Sequence, residues 1–308
     1  MMTGYGFETT GDEILEGIDL SGKRIIVTGS TSGIGAETVR ALAKAGAEVT
    51  MAVRNVEVGR KVADEIMQAT GNRKVTVQQL ELSDFASVRS FVSNWNEPLD
   101  VLINNAGVMG IPYLQKISEG IEMQFMTNYL GHFALSVGLH KFLKAAPAAR
   151  IVMVSSSGHL LCPVLFDDIN FNFISYDPWL SYGQSKTACI LFAVGAARRW
   201  REDGIAVNAL NPGAILTNLQ RHVGGKLRSA PEFHKTVQEG AATSILLSAS
   251  PVVRNVSGAY FEDCNEAEVV TSRPERFAGV AKYALDPDGA DRLWDLSTSM
   301  IEQLQKKA

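Results

Sequence analysis

The chain is 308 residues long, 46% hydrophobic and 20% charged, with a formal net charge of −4. That composition supplies a large core, and its acidic balance argues against a nucleic-acid footprint. The three cysteines (Cys162, Cys189, Cys264) and five histidines fall in no disulfide or metal-ligand spacing, so reduced thiols and no metal site are expected.

Glu8, Asp12, Glu13, Glu16 and Asp19 precede the first basic residue, Lys23, the reverse of a secretory signal. The longest apolar stretch, Ala188 to Ala197, is far short of the roughly 18–20 residues of a membrane span. A cytoplasmic protein is expected. The run Arg24 to Thr28 reads as a buried parallel strand. Ile34 to Gly46 reads as a helix with Val39, Leu42 and Ala43 on one face and glycine as its stop. Glu48 to Val53 is the next strand, and Val58, Val62 and Ile66 mark a helix closed by Gly71. Lys74 to Leu80 is a third strand. Ser83 is the expected cap of a helix whose apolar face is Phe85, Val88, Phe91 and Val92.

The alternation continues with a strand at Leu99 to Ile103, a helical region from about Gly120 to Lys144, and a strand at Arg150 to Val154. A helix from Tyr182 to Arg201, a strand at Ile205 to Leu210, a helix at Glu239 to Leu247 and a short strand at Gly258 to Phe261 complete it. Parallel neighbours need crossovers, usually helical, so strict alternation predicts a doubly wound α/β sheet of about seven parallel strands with helices on both faces. The pattern favours one Rossmann-type domain over 1–308, although length alone suggests two. Residues 1–21 read as an N-terminal extension and 262–308 as a tail. Irregular segments at 158–180 and 213–235 follow strands, at the sheet end where such folds bind ligands.

Between the first strand and helix lies Thr28-Gly29-Ser30-Thr31-Ser32-Gly33-Ile34-Gly35. Gly29 permits a tight turn, Gly33 lets backbone approach a pyrophosphate, and Gly35 lets helix and strand pack closely. Ser32 and Ile34 belong to the same helix N-terminus, whose free N–H groups favour phosphate. The spacing G-x-x-x-G-x-G departs from G-x-G-x-x-G. Arg54 ends the second strand, about twenty residues on, where an acidic residue would bind the ribose of NAD. An arginine suits a 2′-phosphate, so NADP(H) is favoured over NAD(H), against the alternative of a solvated surface arginine. Asn104-Asn105-Ala106-Gly107 closes the fourth strand. It can line an adenosine and brace its neighbours, although it is also a plausible turn.

Tyr182-Gly183-Gln184-Ser185-Lys186 places a phenol and an ammonium one helical turn apart. The cation favours the phenolate, which makes the tyrosine a usable general acid or base for a carbonyl/carbinol pair. Taken alone, such pairs are common on helix surfaces. Ser155-Ser156-Ser157 after the fifth strand offers a hydroxyl, and Asn128 is an unusual helix-interior residue. Asn211-Pro212-Gly213 and Thr217 follow the sixth strand, where a nicotinamide can rest.

Together these motifs, over roughly residues 22–262, resemble the short-chain dehydrogenase/reductase family. Within it, Ala52-Val53-Arg54-Asn55, Asn128 to Phe133, Ser156-Ser157-Gly158-His159 and Leu293-Trp294 look like the retinol dehydrogenase branch. The resemblance implies that Tyr182 exchanges the proton, Lys186 holds the nicotinamide ribose and favours the phenolate, and Ser156 holds the substrate oxygen. It also implies that Asn128 anchors a proton-relaying water, that Asn105, Ala106 and Gly107 lie against adenosine, and that Thr217 lies near the carboxamide with Pro212 and Gly213. Glu81 stands where the family commonly has an aspartate. Relatives of that branch handle bulky apolar alcohols and ketones, steroid- or retinoid-like, and Leu160, Leu161, Leu165, Phe166, Phe171, Phe173 and Trp179 are candidates for an apolar wall or for plain core. The family resemblance also brings an expectation of a homodimer or homotetramer. Two rivals stand beside this reading. A catalytically silent NADP(H)-binding regulator would bind cofactor without consuming it. A serine hydrolase is disfavoured because no G-x-S-x-G surrounds the serines.

Overall fold

Strand and helix alternate through the computed structural model, which describes residues 1–307. The expected domain and tail both extend to Ala308, which lies outside the described residues. A short helix α1 (Gly11–Ile14) precedes β1 (Arg24–Thr28), α2 (Gly33–Lys44), β2 (Glu48–Val53), α3 (Val56–Thr70), β3 (Val75–Gln79), α4 (Phe85–Ser93) and β4 (Val101–Asn104). Next come α5 (Met123–Phe125), a π-wound turn at Met126–Leu130, α6 (Gly131–Lys144), β5 (Arg150–Val154), α7 (Pro178–Arg199), β6 (Ala206–Asn211) and α8 (Val237–Ala249). Strands β7 (Tyr260–Glu262), β8 (Asn265–Glu266), β9 (Val269–Val270) and β10 (Val280–Ala281) lead to α9 (Pro287–Lys307).

The main sheet has the order β3-β2-β1-β4-β5-β6-β7-β8. Its first seven strands are parallel, as expected, and β8 adds an antiparallel edge. The order reverses between β1 and β4. Val27 pairs with Ile103, and Ile103 with Val152, so the carboxyl ends of β1, β4 and β5 form one rim. The strands are apolar throughout because both faces are covered. Ile26 and Leu102 face one core with α6 and α7; Ile25, Val27 and Ile103 face the other with α2 and α8.

Three expectations need correcting. Helix α7 starts at Pro178, ahead of Tyr182, because the Asp177 carboxylate accepts from the N–H groups of Trp179 and Leu180 and proline fits the first helical position. Asp84, rather than Ser83, caps α4. The terminal segments are also not appendages. Ile14, Leu15 and Leu20 are buried in the second core, and a Cβ on Gly11 would run into Ile245 of α8. At the other end, α9 buries Leu293, Ser297 and Leu304. Its Trp294 ring stacks on Phe192 at 6.0 Å and meets Trp200 edge-on at 5.4 Å. Among the described residues, no helix is long and apolar enough to cross a membrane, and no group of side chains could hold a metal ion.

Candidate active site

The rim opens into a cavity of about 1130 Å³ that runs from the β1–α2 turn to the start of α7. That exceeds the roughly 300–1,000 Å³ of a typical single-ligand pocket. Every residue expected at the cofactor lines it: Gly29, Ser32, Gly33, Ile34, Gly35, Arg54, Asn105, Ala106, Gly107, Tyr182, Lys186, Pro212, Gly213 and Thr217.

The glycines are required by close approach. Gly29 has φ 65°, and a Cβ there would lie 2.7 Å from the Ala106 Cα. A Cβ on Gly35 would lie 2.5 Å from Asn105 Nδ2 and 2.7 Å from the Gly29 carbonyl oxygen. Thr28 locks the β1 and β4 turns together, its Oγ1 accepting from the N–H groups of Asn105 and Ala106 at 2.9 Å each. Asn105 donates its amide to the Thr28 carbonyl at 2.8 Å, so its side chain braces the turns. At the start of α2, Ser32 makes no side-chain cap and the first turn holds no acid. The helix N-terminus therefore presents uncapped N–H donors in the cavity wall, which fits a pyrophosphate. Arg54 is exposed at the end of β2, with its Nε 3.7 Å from the Glu81 carboxylate. Glu81 is itself held by the Ser83 hydroxyl at 2.8 Å.

Tyr182 and Lys186 are both buried on α7. Lys186 Nζ sits 5.7 Å from the centre of the Tyr182 ring and donates to the Val154 carbonyl at 2.9 Å. The run of serines is now resolved into separate tasks. Ser155 is buried and donates to the Lys186 carbonyl at 2.7 Å, tying β5 to α7. Ser156 lines the cavity, and its Oγ accepts from the Gly158 N–H at 3.0 Å, which leaves its own hydroxyl proton free. A Cβ on Gly158 would lie 2.7 Å from Tyr182 Cε1 and 3.4 Å from Ser156 Oγ, so tyrosine and serine meet over that glycine. Ser157 opens the following turn and also lines the cavity.

Asn128 lies in the π-wound turn, a distortion frequent at functional sites. It is buried and outside the cavity lining. Its Oδ1 accepts from Val108 N–H at 2.7 Å, and its Nδ2 donates to the Val108 carbonyl and to Ser185 Oγ at 2.9 Å each. The amide thus fixes the strand-end loop against the Tyr182 helix. Two buried histidines brace the site, a role their sequence positions do not signal. His132 Nδ1 donates to the Asn128 carbonyl at 2.9 Å, which leaves Nε2 to accept from Thr28 Oγ1 at 2.9 Å. His159 Nδ1 donates to the Ser156 carbonyl at 2.7 Å, and its Nε2 accepts from Ala281 N–H at 3.1 Å. Burial lowers the pKa of each ring from 6.5 to about 4.

The apolar wall read from the sequence is mostly something else. Only Leu161 and Trp179 of that group line the cavity. Leu160 and Phe171 are buried, Phe166 packs on the core, and Phe173 is 90% exposed. Further apolar lining comes from Met109, Val223, Leu227, Phe233 and Phe277. The 213–235 segment is pinned at its end: Lys235 Nζ pairs with Asp263 at 2.6 Å, and Lys235 N–H donates to the Ala214 carbonyl at 2.9 Å.

Comparison with known proteins agrees with this geometry. The short chain dehydrogenase family profile matches residues 23–166. The "probable oxidoreductase" of Streptomyces antibioticus is 52% identical, covering 92% of this chain and 99% of that protein. Retinol dehydrogenase 14 of Mus musculus is 39% identical over 92% of this chain and 86% of its own length. Among solved structures, an uncharacterised protein from Mycobacterium paratuberculosis superposes with a TM-score of 0.75 at 30% identity, covering 96% of this chain and 98% of that one. A short-chain dehydrogenase from Escherichia coli CFT073 complexed with NADPH gives 0.62 at 25% identity, over 79% of this chain and 96% of that one.

Proposed function

The chain belongs to the short-chain dehydrogenase family and is an NAD(P)-dependent oxidoreductase acting on CH–OH groups; from that premise we propose that it interconverts a bulky, largely apolar alcohol and its ketone or aldehyde, using NADP(H) in preference to NAD(H) and Tyr182 as general acid/base. The observation that carries this reading is the buried Tyr182–Lys186 pair set in the wall of one cavity whose other end is the glycine turn.

When bound, the nicotinamide cofactor supplies or accepts the hydride. The chain's own residues do the rest. The α2 N-terminus and the bare backbone at Gly33 hold the pyrophosphate, and Arg54 holds the 2′-phosphate. Lys186 and Thr217 orient the nicotinamide end. In the reducing direction, Ser156 donates its free hydroxyl proton in a hydrogen bond to the substrate oxygen while Tyr182 passes its phenolic proton to that oxygen. In oxidation the proton returns to Tyr182. Lys186 balances the charge left on the phenol, and Asn128 holds the Val108 loop beside the couple and anchors proton exchange with solvent. Leu161, Met109, Trp179 and Val223 give the substrate its apolar contacts. The whole chain, 1–308, acts as one catalytic unit, since both terminal segments pack into its cores. The test is an NADPH- and NADP⁺-coupled screen across steroids, retinoids, long-chain alcohols and aromatic ketones. Turnover of at least one such pair is expected; cofactor binding without consumption across the panel overturns the reading.

A further inference from the structure

The substrate end of the cavity carries a charge pattern that an apolar substrate does not explain. Arg221, Lys226, Arg228 and Arg276 line it, as does Glu275, and the Glu262 carboxylate feels the charge of Arg276. Among the described residues, arginine ion pairs within 4.0 Å form at Arg24, Arg40, Arg54, Arg198, Arg199 and Arg292 and at none of these four. Supply is not the reason, since the chain has 33 acidic residues against 29 basic ones.

Two of the guanidiniums rest on aromatic rings instead. Arg228 lies 4.5 Å over the Trp179 ring, and Arg276 lies 4.7 Å over Phe233. Trp179 in turn meets the Tyr182 ring edge-on at 6.3 Å. A ring face orders a guanidinium without neutralising it and leaves its fork of donors available. The pair spans two segments distant in sequence, 213–235 and the stretch between β9 and β10, that close over the same mouth. The contact proposed for the 2′-phosphate, Arg54, lies at the other end of the rim, while the first part of the 213–235 segment reaches the α2 N-terminus, where Asn218 Nδ2 donates to Ser32 Oγ at 3.3 Å and a Cβ on Gly33 would lie 3.0 Å from Thr217. Arg54 directly follows β2, on the far side of β1, whereas α7 packs against β5 and β6.

We propose that the substrate carries a carboxylate at the end remote from its reacting carbon, held by Arg228 and Arg276, with its apolar body against Trp179 and Leu161. This rests on the reading of Tyr182 as the proton-transfer residue and names the substrate class for it. The carboxylate takes no part in the proton or hydride transfer. It sets orientation, since a planar carboxylate matches the guanidinium fork bidentately.

The test uses paired probes: para-acetylbenzoate and its methyl ester, and a ten-carbon ω-oxo acid and its methyl ester. Steady-state kcat/KM with NADPH is measured for the wild type, Arg228→Met, Arg276→Met and the double variant, and NADPH affinity for each by fluorescence. The wild type is expected to favour an acid over its ester by about tenfold, as charge-assisted bonds allow, with the margin narrowing as salt rises. The acid/ester ratio, which is internal to each variant, should fall toward one in the double variant. Wild-type preference for the esters, or a ratio untouched by both substitutions, overturns the proposal while leaving the Tyr182 chemistry standing. Weakened NADPH binding with an unchanged ratio assigns the arginines to the cofactor and also overturns it. No turnover of either member of any pair, while the wider screen finds an uncharged substrate, overturns the carboxylate proposal alone; silence in both removes the underlying reading together with it.

Discussion

The two ends of the cavity are built from different materials. The end proposed for the cofactor is backbone: short turns after β1, β4 and β6, held so close that a Cβ on Gly29 or Gly35 would overlap its neighbours. The substrate end is side chains: Met109, Leu161, Trp179, Val223, Arg228, Arg276 and Phe277, from segments with no common period. Backbone shape is written in glycines at fixed spacing and tolerates almost no change. A wall of side chains is set by which loops meet, so it can vary while the turns stay fixed.

The sharpest way to separate the ends is to remove the chemistry between them. Tyr182→Phe should lower kcat by about a thousandfold, within the usual range for a lost general acid, while NADPH affinity stays in place. Near wild-type turnover would dismiss the tyrosine from its role. Acid should strain both ends at once, because His132 braces the cofactor turns and His159 the Ser156 turn. The folded chain holds both rings neutral down to about pH 4, whereas the unfolded chain protonates them near 6.5. The unfolded state therefore binds more protons in that window. Stability is full above pH 6.5 and is lost as pH falls toward 4, by on the order of 3 kcal/mol per ring. Urea midpoints that stay flat between neutral pH and pH 4.5 would contradict this.

Smaller effects test the materials directly. Gly35→Ala forces a Cβ into Asn105 and the Gly29 carbonyl and should cost about 1–3 kcal/mol. Gly225→Ala, with φ 67° but open space around it, should cost about 1 kcal/mol from backbone strain alone. Equal losses in urea denaturation would erase the contrast between the two ends. Arg54→Asp should weaken NADPH by roughly ten- to a hundredfold, as loss of a charged hydrogen bond implies, and leave NADH nearly as it was. Equal losses for both cofactors would make Arg54 a surface residue. At the bottom of the scale, Leu161→Ala should raise KM for apolar ketones a few-fold. Phe173→Ala, at a position 90% exposed, should alter neither KM nor stability beyond about 0.5 kcal/mol.

The same division explains what could be read from the chain alone. The strands showed as apolar runs because both sheet faces are covered, and the glycine turn, Arg54 and Asn105 to Gly107 showed because their spacing encodes a backbone path. The Tyr182–Lys186 pair showed because one helical turn fixes it. The apolar wall did not. Leu160, Phe166, Phe171 and Phe173 share composition with a binding wall, and only tertiary packing sends two of them inward, one against the core and one into solvent. Asn128 stands out as an odd helix residue, yet the π-wound turn that uses it has no periodic signature. His132 and His159 look like any histidine in an apolar run until Thr28, Asn128, Ser156 and Ala281 arrive from elsewhere. Likewise α9 is rich in charge, and its burial depends on Leu293, Trp294 and Leu304 meeting α7.

The closure of the 213–235 segment has a practical side. Its two ends are fastened to each other by the Lys235–Ala214 hydrogen bond and to the β7–β8 turn by the Lys235–Asp263 ion pair. The first part of the segment packs inward, with Ile215 and Gln220 buried and Thr217 against Gly33, whereas the part from Val223 on can be exchanged without disturbing the sheet, as with other compact loops whose ends touch. For an enzyme engineer, residues 223–234 form an exchangeable cassette: a new selectivity can be grafted there while Thr217 and the turns proposed for the nucleotide are kept.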